Sequence, residues 1–185
     1  MYSAPERHYH NLRHISECLE AFDSTRHFSK NPLAVELAIW FHDVVYNSRA
    51  SDNEEQSAVS ARQWLSGSGS SEELLGCVES LVLATKAHDA SLDIDAPLLV
   101  DIDLAILGQK EIRFREYEAQ IRAEYSWVPQ STFVTKRAEI LERFLGRQRI
   151  YSTDFFFERF EVQARRNLRW SIDHLRNLSS PSTES

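Results

Sequence analysis

The sequence is poor in the residues that stabilise small or irregular folds. It has only two cysteines, Cys18 and Cys77, without CxxC spacing, so neither a disulfide scaffold nor a zinc site built on cysteines is expected. Most of its five glycines and five prolines fall between segments of helical periodicity rather than inside them. Its longest apolar run, residues 37–41, is far too short to span a bilayer. These absences favour helices joined by short loops.

The charge balance is acidic, with 28 Asp and Glu residues against 21 Lys and Arg and a net charge of -7. This argues against general binding to nucleic acid or to a membrane surface. A hydrophobic fraction of 42% and a charged fraction of 26% are ordinary for a globular protein with one sizeable core. Residues 1–14 are polar and lack the apolar stretch of a signal peptide, so we expect a soluble, cytoplasmic protein.

Apolar residues recur at helical spacing along most of the chain. Asn31 followed by Pro32 is typical of a helix start, and Gly108 and Gly146 are typical of helix ends. There is no hairpin signal, internal repeat or domain linker. We therefore predict an all-α bundle of about seven to nine helices, with one domain over residues 1–176 and a frayed tail over residues 177–185.

Acidic and histidine side chains interrupt the most apolar segments. His42 and Asp43 lie within LAVELAIWFHDVVY, and Asp101 and Asp103 lie within LLVDIDLAIL. A buried carboxylate is either fully hydrogen-bonded or bound to a cation, because its desolvation is costly. Imidazole and carboxylate groups are good ligands for divalent metals. A hydrogen-bonded His-Asp pair or a helix cap would also explain each position taken alone.

A third segment, HYHNLRHI, is rich in histidine near the start of the chain. His10 and His14 are four residues apart, which places them on one face of a helix. A histidine, a later His-Asp pair and a much later Asp resemble the metal-ligand set of the HD superfamily of phosphohydrolases. The segments HYHNLRHI, WFHDVVY, DNEEQSA, ATKAH and DIDLAILG also look like the bacterial subfamily of predicted metal-dependent HD hydrolases. The resemblance covers about residues 2–168.

This resemblance implies an HD-type helical fold and a site for one divalent metal. The implied ligands are His14, His42, Asp43 and Asp103, with Asp101 as a competing ligand. Asn53 stands where superfamily members with two metals have a further histidine, so a single ion is expected. Mixed nitrogen and oxygen ligands suit Mn²⁺, Fe²⁺, Co²⁺, Zn²⁺ or Ni²⁺ better than Mg²⁺.

The resemblance also implies hydrolysis of a phosphomonoester or phosphodiester, such as a nucleotide, by a metal-activated water. Glu54 or Glu55 is the candidate general base, and His10 the candidate general acid or substrate contact. The alternative is a catalytically idle HD-fold module that binds a nucleotide and acts as a sensor. Solvated carboxylates at a helix start are also ordinary, because they interact favourably with the helix dipole. No E-x-x-H motif occurs, so a di-iron carboxylate bundle is excluded.

An anionic substrate requires positive charge near the metal. The candidates for phosphate binding are Lys86, His88, Arg7 and Arg13. Lys86 is preferred because it belongs to the ATKAH segment, although a surface cation is an ordinary alternative for each of them. The expected partner is therefore a small phosphorylated substrate, and the sequence is compatible with a homo-oligomer.

Overall fold

The computed structural model describes residues 1–88 and 91–179, and the regular structure within these ranges is helical, with no strand. Eight α-helices are described: α1 Leu12–Thr25, α2 Pro32–Phe41, α3 Asn53–Ser66, α4 Glu72–Ala87, α5 Ala96–Asp103, α6 Glu111–Glu124, α7 Gln130–Leu145 and α8 Asp154–Ser179. Two short 3-10 segments cover Arg26–Phe28 and Leu104–Gly108. The prediction of an all-α fold with seven to nine helices is confirmed.

The chain divides into two compact units, Met1–Ala105 and Ile106–Ser185. The prediction of one domain over residues 1–176 stays a prediction. Helix α8 continues through Ser179, so the beginning of the predicted frayed tail is helical, and the rest of that tail lies outside the described residues. Among the helices of the described chain, none is long and apolar enough to cross a membrane.

The N-terminal unit contains α1 to α5, and the sequence explains where several of these helices begin. The Asn11 side chain accepts a hydrogen bond from the Arg13 amide, and Asn31 accepts one from the Ala34 amide, so both residues act as N-caps. Pro32 then occupies the first turn of α2, where no amide proton is needed. The core between these helices is apolar, and its largest fully buried side chains are Ile15, Phe22, Ile39, Leu75, Leu81, Leu99 and Ile102.

One buried carboxylate of this unit has a purely structural environment. Asp95 accepts hydrogen bonds from the Ser29 hydroxyl at 2.9 Å, the Lys30 amide at 2.8 Å and the Asn31 amide at 2.7 Å. These donors satisfy its oxygens in a buried position. Asp95 therefore ties the start of α2 to the start of α5, and it is not a candidate ligand.

The C-terminal unit contains α6 to α8 and has its own aromatic core. Phe114, Phe156 and Tyr151 are fully buried there. The Gly108 backbone packs closely on α8, since a Cβ atom at this position would lie 2.5 Å from the Phe160 Cβ. A glycine predicted from the sequence as a helix end is thus also required by this close approach.

Candidate metal centre

Two histidines meet in the interior of the N-terminal unit. His14 lies on α1 and His42 directly follows the last residue of α2, and their side chains are only 2% and 3% exposed. Their Nε2 atoms are 3.1 Å apart. The Nδ1 atom of His42 lies 2.9 Å from the Ile39 carbonyl oxygen, so a proton on Nδ1 is donated to the backbone. This leaves Nε2 of His42 available to a cation.

Two carboxylates approach the same pair of ring nitrogens. Asp43, in the turn after α2, places Oδ2 at 3.0 Å from His42 Nε2 and 3.5 Å from His14 Nε2. Asp103, the last residue of α5, places Oδ1 at 3.3 Å from His14 Nε2 and 3.7 Å from His42 Nε2. Each imidazole nitrogen therefore contacts both carboxylates.

These distances are those expected between neighbouring ligands of one ion. With metal–ligand bonds of about 2.1 Å, adjacent ligand atoms lie about 3.0 Å apart in an octahedral site and about 3.4 Å apart in a tetrahedral one. The five ligand–ligand distances fall between 3.0 and 3.7 Å. His14, His42 and Asp43 are accordingly close enough to hold a metal together. Asp103 is not part of this group, and it belongs to a second group that also includes His14.

Without a cation, the cluster is held together by ion pairs. Burial lowers the pKa of His42, but the charge and hydrogen bond of Asp43 outweigh burial and raise that pKa to about 9. Burial raises the pKa of Asp43, while the charges of His42 and His10 reverse this and hold it well below its ordinary range. The pKa of Asp103 is also well below its ordinary range, since hydrogen bonds from His14 and His88 outweigh its burial. Both carboxylates are therefore ionised at neutral pH.

Asp101 and Asp103 have different environments, although both belong to α5. Residues two apart on a helix point in directions about 200° apart, so only one of them can face the histidines. The structure places Asp103 beside His14 and His42, whereas Asp101 is fully buried and does not belong to either group that could hold a metal.

Cys18 also lies at the candidate metal centre, although it was not predicted to be a metal ligand. Its Sγ is 3.7 Å from Nδ1 of His14, and His14, Cys18 and Asp103 form a second group that could hold a metal. Burial, together with the charges of Asp103 and Asp43, raises the pKa of this thiol well above its ordinary value. The cysteines form no paired motif, and the sequence signal for Cys18 is its four-residue spacing from His14 on one helical face.

Arg7 supports the turn that contains Asp43. Its guanidinium donates to the carbonyl oxygens of Asp43 at 2.6 Å, Val44 at 3.0 Å and His10 at 3.1 Å. The side chain is 8% exposed. These bonds fix the backbone next to a candidate ligand, and the predicted contact of Arg7 with a phosphate stays a prediction.

The remaining predicted cations have partners. Arg13 pairs with Glu17 at 3.2 Å on the exposed side of α1. Lys86, in the last turn of α4, forms an ion pair with Glu55 and donates to the Ser51 carbonyl oxygen at 2.9 Å. The predicted phosphate ligand and one predicted general base thus contact each other. The hydrogen bond from Lys86 lowers the pKa of Glu55.

Other predicted residues lie at or near the cluster. The ring of His10 stacks on Tyr46 with centroids 4.1 Å apart, and the charge of His10 lowers the pKa of Asp43. Glu54 belongs to the first turn of α3 beside Glu55. The side-chain amide of Asn53 accepts a hydrogen bond from the backbone amide of Asn47 at 2.9 Å and donates one to the Asn47 carbonyl oxygen at 3.1 Å. It therefore holds a loop rather than offering a metal ligand.

Comparison with known proteins gives no relative for this chain. No protein-family model matches it, and neither a curated protein nor a solved structure does. The interpretation of the site therefore depends on its geometry and on the sequence motifs.

Proposed function

We propose that the protein is a metal-dependent hydrolase of phosphomonoesters or phosphodiesters that holds one divalent ion. The observation that supports this proposal is that the Nε2 atoms of His14 and His42 lie 3.1 Å apart, each within 3.0 to 3.7 Å of carboxylate oxygens of Asp43 and Asp103. Two nitrogen donors favour Mn²⁺, Fe²⁺, Co²⁺, Zn²⁺ or Ni²⁺ over Mg²⁺. When bound, such an ion supplies a Lewis acid that acidifies water and polarises a phosphoryl oxygen.

The surrounding chain orients these ligands. The Ile39 carbonyl fixes the ring of His42 through Nδ1, and Arg7 fixes the backbone of Asp43. Such outer contacts maintain the ring and carboxylate orientations that a metal requires. A structural His-Asp pair would need only one partner for each group, whereas here both histidines contact both carboxylates.

Charge compensation explains how an acidic protein could accept an anionic substrate. Metal binding requires both histidines to be neutral, and the two carboxylates then give the site a charge of about -2, which a divalent ion neutralises. Arg7 then leaves the surroundings of Asp43 positive, since its guanidinium bonds to backbone carbonyls there. His10 is half-buried and its charge lowers the pKa of Asp43, so under this proposal it holds a proton for a leaving group. Under this proposal the substrate is small and phosphorylated, and a nucleotide is the leading candidate.

The second candidate function is a nucleotide-binding module without catalysis. It is favoured by the ion pair between Glu55 and Lys86, because a carboxylate engaged by a lysine is a poor general base. The two functions share the metal site and differ only in turnover.

Metal analysis combined with a phosphatase assay tests the proposal. The purified protein is loaded with Mn²⁺, Co²⁺ or Ni²⁺ and tested with p-nitrophenyl phosphate, bis-p-nitrophenyl phosphate and nucleotides. We expect hydrolysis that falls at least about 100-fold in His42→Gln, since removal of a ligand costs more than removal of an outer contact. His27→Gln is the matched control, because His27 is exposed in a 3-10 segment. Metal-dependent nucleotide binding without turnover would support the module instead.

A further inference from the structure

The end of α4 has an unusual backbone conformation. His88, the residue that follows Ala87, has φ 50° and ψ 50°, which is the left-handed helical region. Among the described residues other than glycine, it alone has a positive φ. A side chain with a Cβ is disfavoured here, and glycine or asparagine is the usual choice at a helix end of this kind.

The backbone of this helix end does not require an imidazole. The His88 amide donates to the carbonyl oxygens of Ala84 and Thr85, which caps the last turn of α4. A glycine would form the same backbone hydrogen bonds without the steric cost. The conformation therefore leaves unexplained why a histidine occupies this position, and the reason must be sought in its side chain.

The side chain of His88 reaches the candidate metal centre. Its Nε2 lies 3.4 Å from Oδ2 of Asp103. The other oxygen of the same carboxylate, Oδ1, faces His14 at 3.3 Å and His42 at 3.7 Å. Asp103 is thus contacted on both oxygens, one by the ligand histidines and the other by a histidine from a different helix end. Asp103 itself is the last residue of α5.

We propose that His88 is a positioning residue that holds Oδ2 of Asp103 and so presents Oδ1 to a divalent ion. This inference rests on the proposed metal site and assigns to His88 a role other than substrate contact. A histidine that contacts a ligating carboxylate restricts its orientation, which is the usual function of the outer contacts of a metal site. The left-handed conformation is maintained because it directs the ring toward Asp103.

Three substitutions in the full-length protein separate this role from a backbone role. His88→Gly and His88→Asn suit the left-handed conformation but remove or shorten the side chain, whereas His88→Gln keeps a nitrogen near the position of Nε2 and suits the backbone poorly. Mn²⁺ affinity is measured by calorimetry, and thermal unfolding is followed without metal. We expect Mn²⁺ affinity to fall about 10- to 100-fold in His88→Gly and His88→Asn and to be at least partly retained in His88→Gln.

The unfolding temperatures give the control for folding. Metal-free His88→Gly should unfold within about 2 °C of wild type or above it, because glycine relieves the left-handed backbone. A purely structural residue would give the opposite result in the glycine variant, with unchanged Mn²⁺ affinity and a lowered unfolding temperature.

Wild-type Mn²⁺ affinity in His88→Gly would overturn the inference, and so would a wild-type protein that binds no divalent ion. A wild-type protein that binds Mn²⁺ but hydrolyses no phosphate ester would refute only the proposed hydrolase, since the affinities of the three variants would still decide the role of His88.

Discussion

Proton competition at His42 should make metal binding strongly dependent on pH. In the metal-free protein its pKa is raised from the ordinary 6.5 to about 9, because the charge and hydrogen bond of Asp43 outweigh burial. At neutral pH the ring therefore carries a proton on Nε2. A metal binds only the neutral ring, so this proton must leave when the ion enters.

The size of the effect follows from this pKa. Roughly 1% of the His42 rings are neutral at pH 7, which weakens the apparent affinity about 100-fold, or by about 3 kcal/mol. Below the pKa, the neutral fraction of His42 rises about tenfold for each unit of increase in pH. Raising the pH from 6 to 8 should thus strengthen Mn²⁺ binding about 100-fold. Asp43 and Asp103 stay ionised over this range and contribute no proton.

Calorimetric titration of the protein with Mn²⁺ measures both quantities. Affinities at pH 6, 7 and 8 give the slope, and titrations in two buffers of different ionisation enthalpy give the number of protons released. We expect about one proton per ion at pH 7. The variant His27→Gln should show the same slope. Equal affinities at pH 6 and pH 8, with no proton release, would refute the assignment of His42 as a ligand.

Three further predictions concern stability. Arg7→Met should lower the free energy of unfolding by about 2 to 4 kcal/mol, because the carbonyl oxygens of Asp43 and Val44 lose their hydrogen-bond donor. Urea unfolding measures this loss, and a loss no larger than that of the exposed variant Arg13→Met would contradict the prediction. Gly108→Ala should also lower the free energy of unfolding, by about 1 to 3 kcal/mol, because the added Cβ would clash with Phe160. An unchanged melting temperature by calorimetry would contradict this prediction. In EDTA, the stability of the folded state should fall as the pH rises from 6.5 to about 9. Protonated His42 stabilises the folded state, and its contribution is lost as the pH rises through the raised pKa. Saturating Mn²⁺ should remove this fall, and melting temperatures that decline equally with and without metal would contradict the prediction.

Much of the fold could be predicted because its signals are local. Asn31 and Pro32 identified the start of α2, and helical periodicity gave the all-α class. Gly108 is typical of a helix end, and it ends a 3-10 segment, Leu104–Gly108, that follows the end of α5 at Asp103. Apolar spacing does not distinguish an α-helical turn from a 3-10 turn, since both bury similar residues.

The site was less predictable where it depends on contacts between distant segments. The residue types and their order indicated the cluster of His14, His42, Asp43 and Asp103. The pairing of Lys86 with Glu55 brings together the start of α3 and the end of α4, and no local pattern encodes it. The same is true of His88, whose contact with Asp103 depends on the direction in which α4 ends. Long polar side chains take their partners from tertiary structure, which spacing along the chain does not reveal.

The positions of the ligands also have a consequence for the unfolded chain. His14 belongs to the first helix of the N-terminal unit, and Asp103 belongs to its last helix. Their contact therefore closes a loop that contains most of this unit. An ion shared by these residues acts as a reversible cross-link, which opposes the separation of the first helix from the last. Removal of the ion would leave the direct contacts of His14 with Asp43 and Asp103 in place of this link, so local opening of α1 should become easier. Metal supply would then govern the lifetime of the protein against proteases as well as its chemistry.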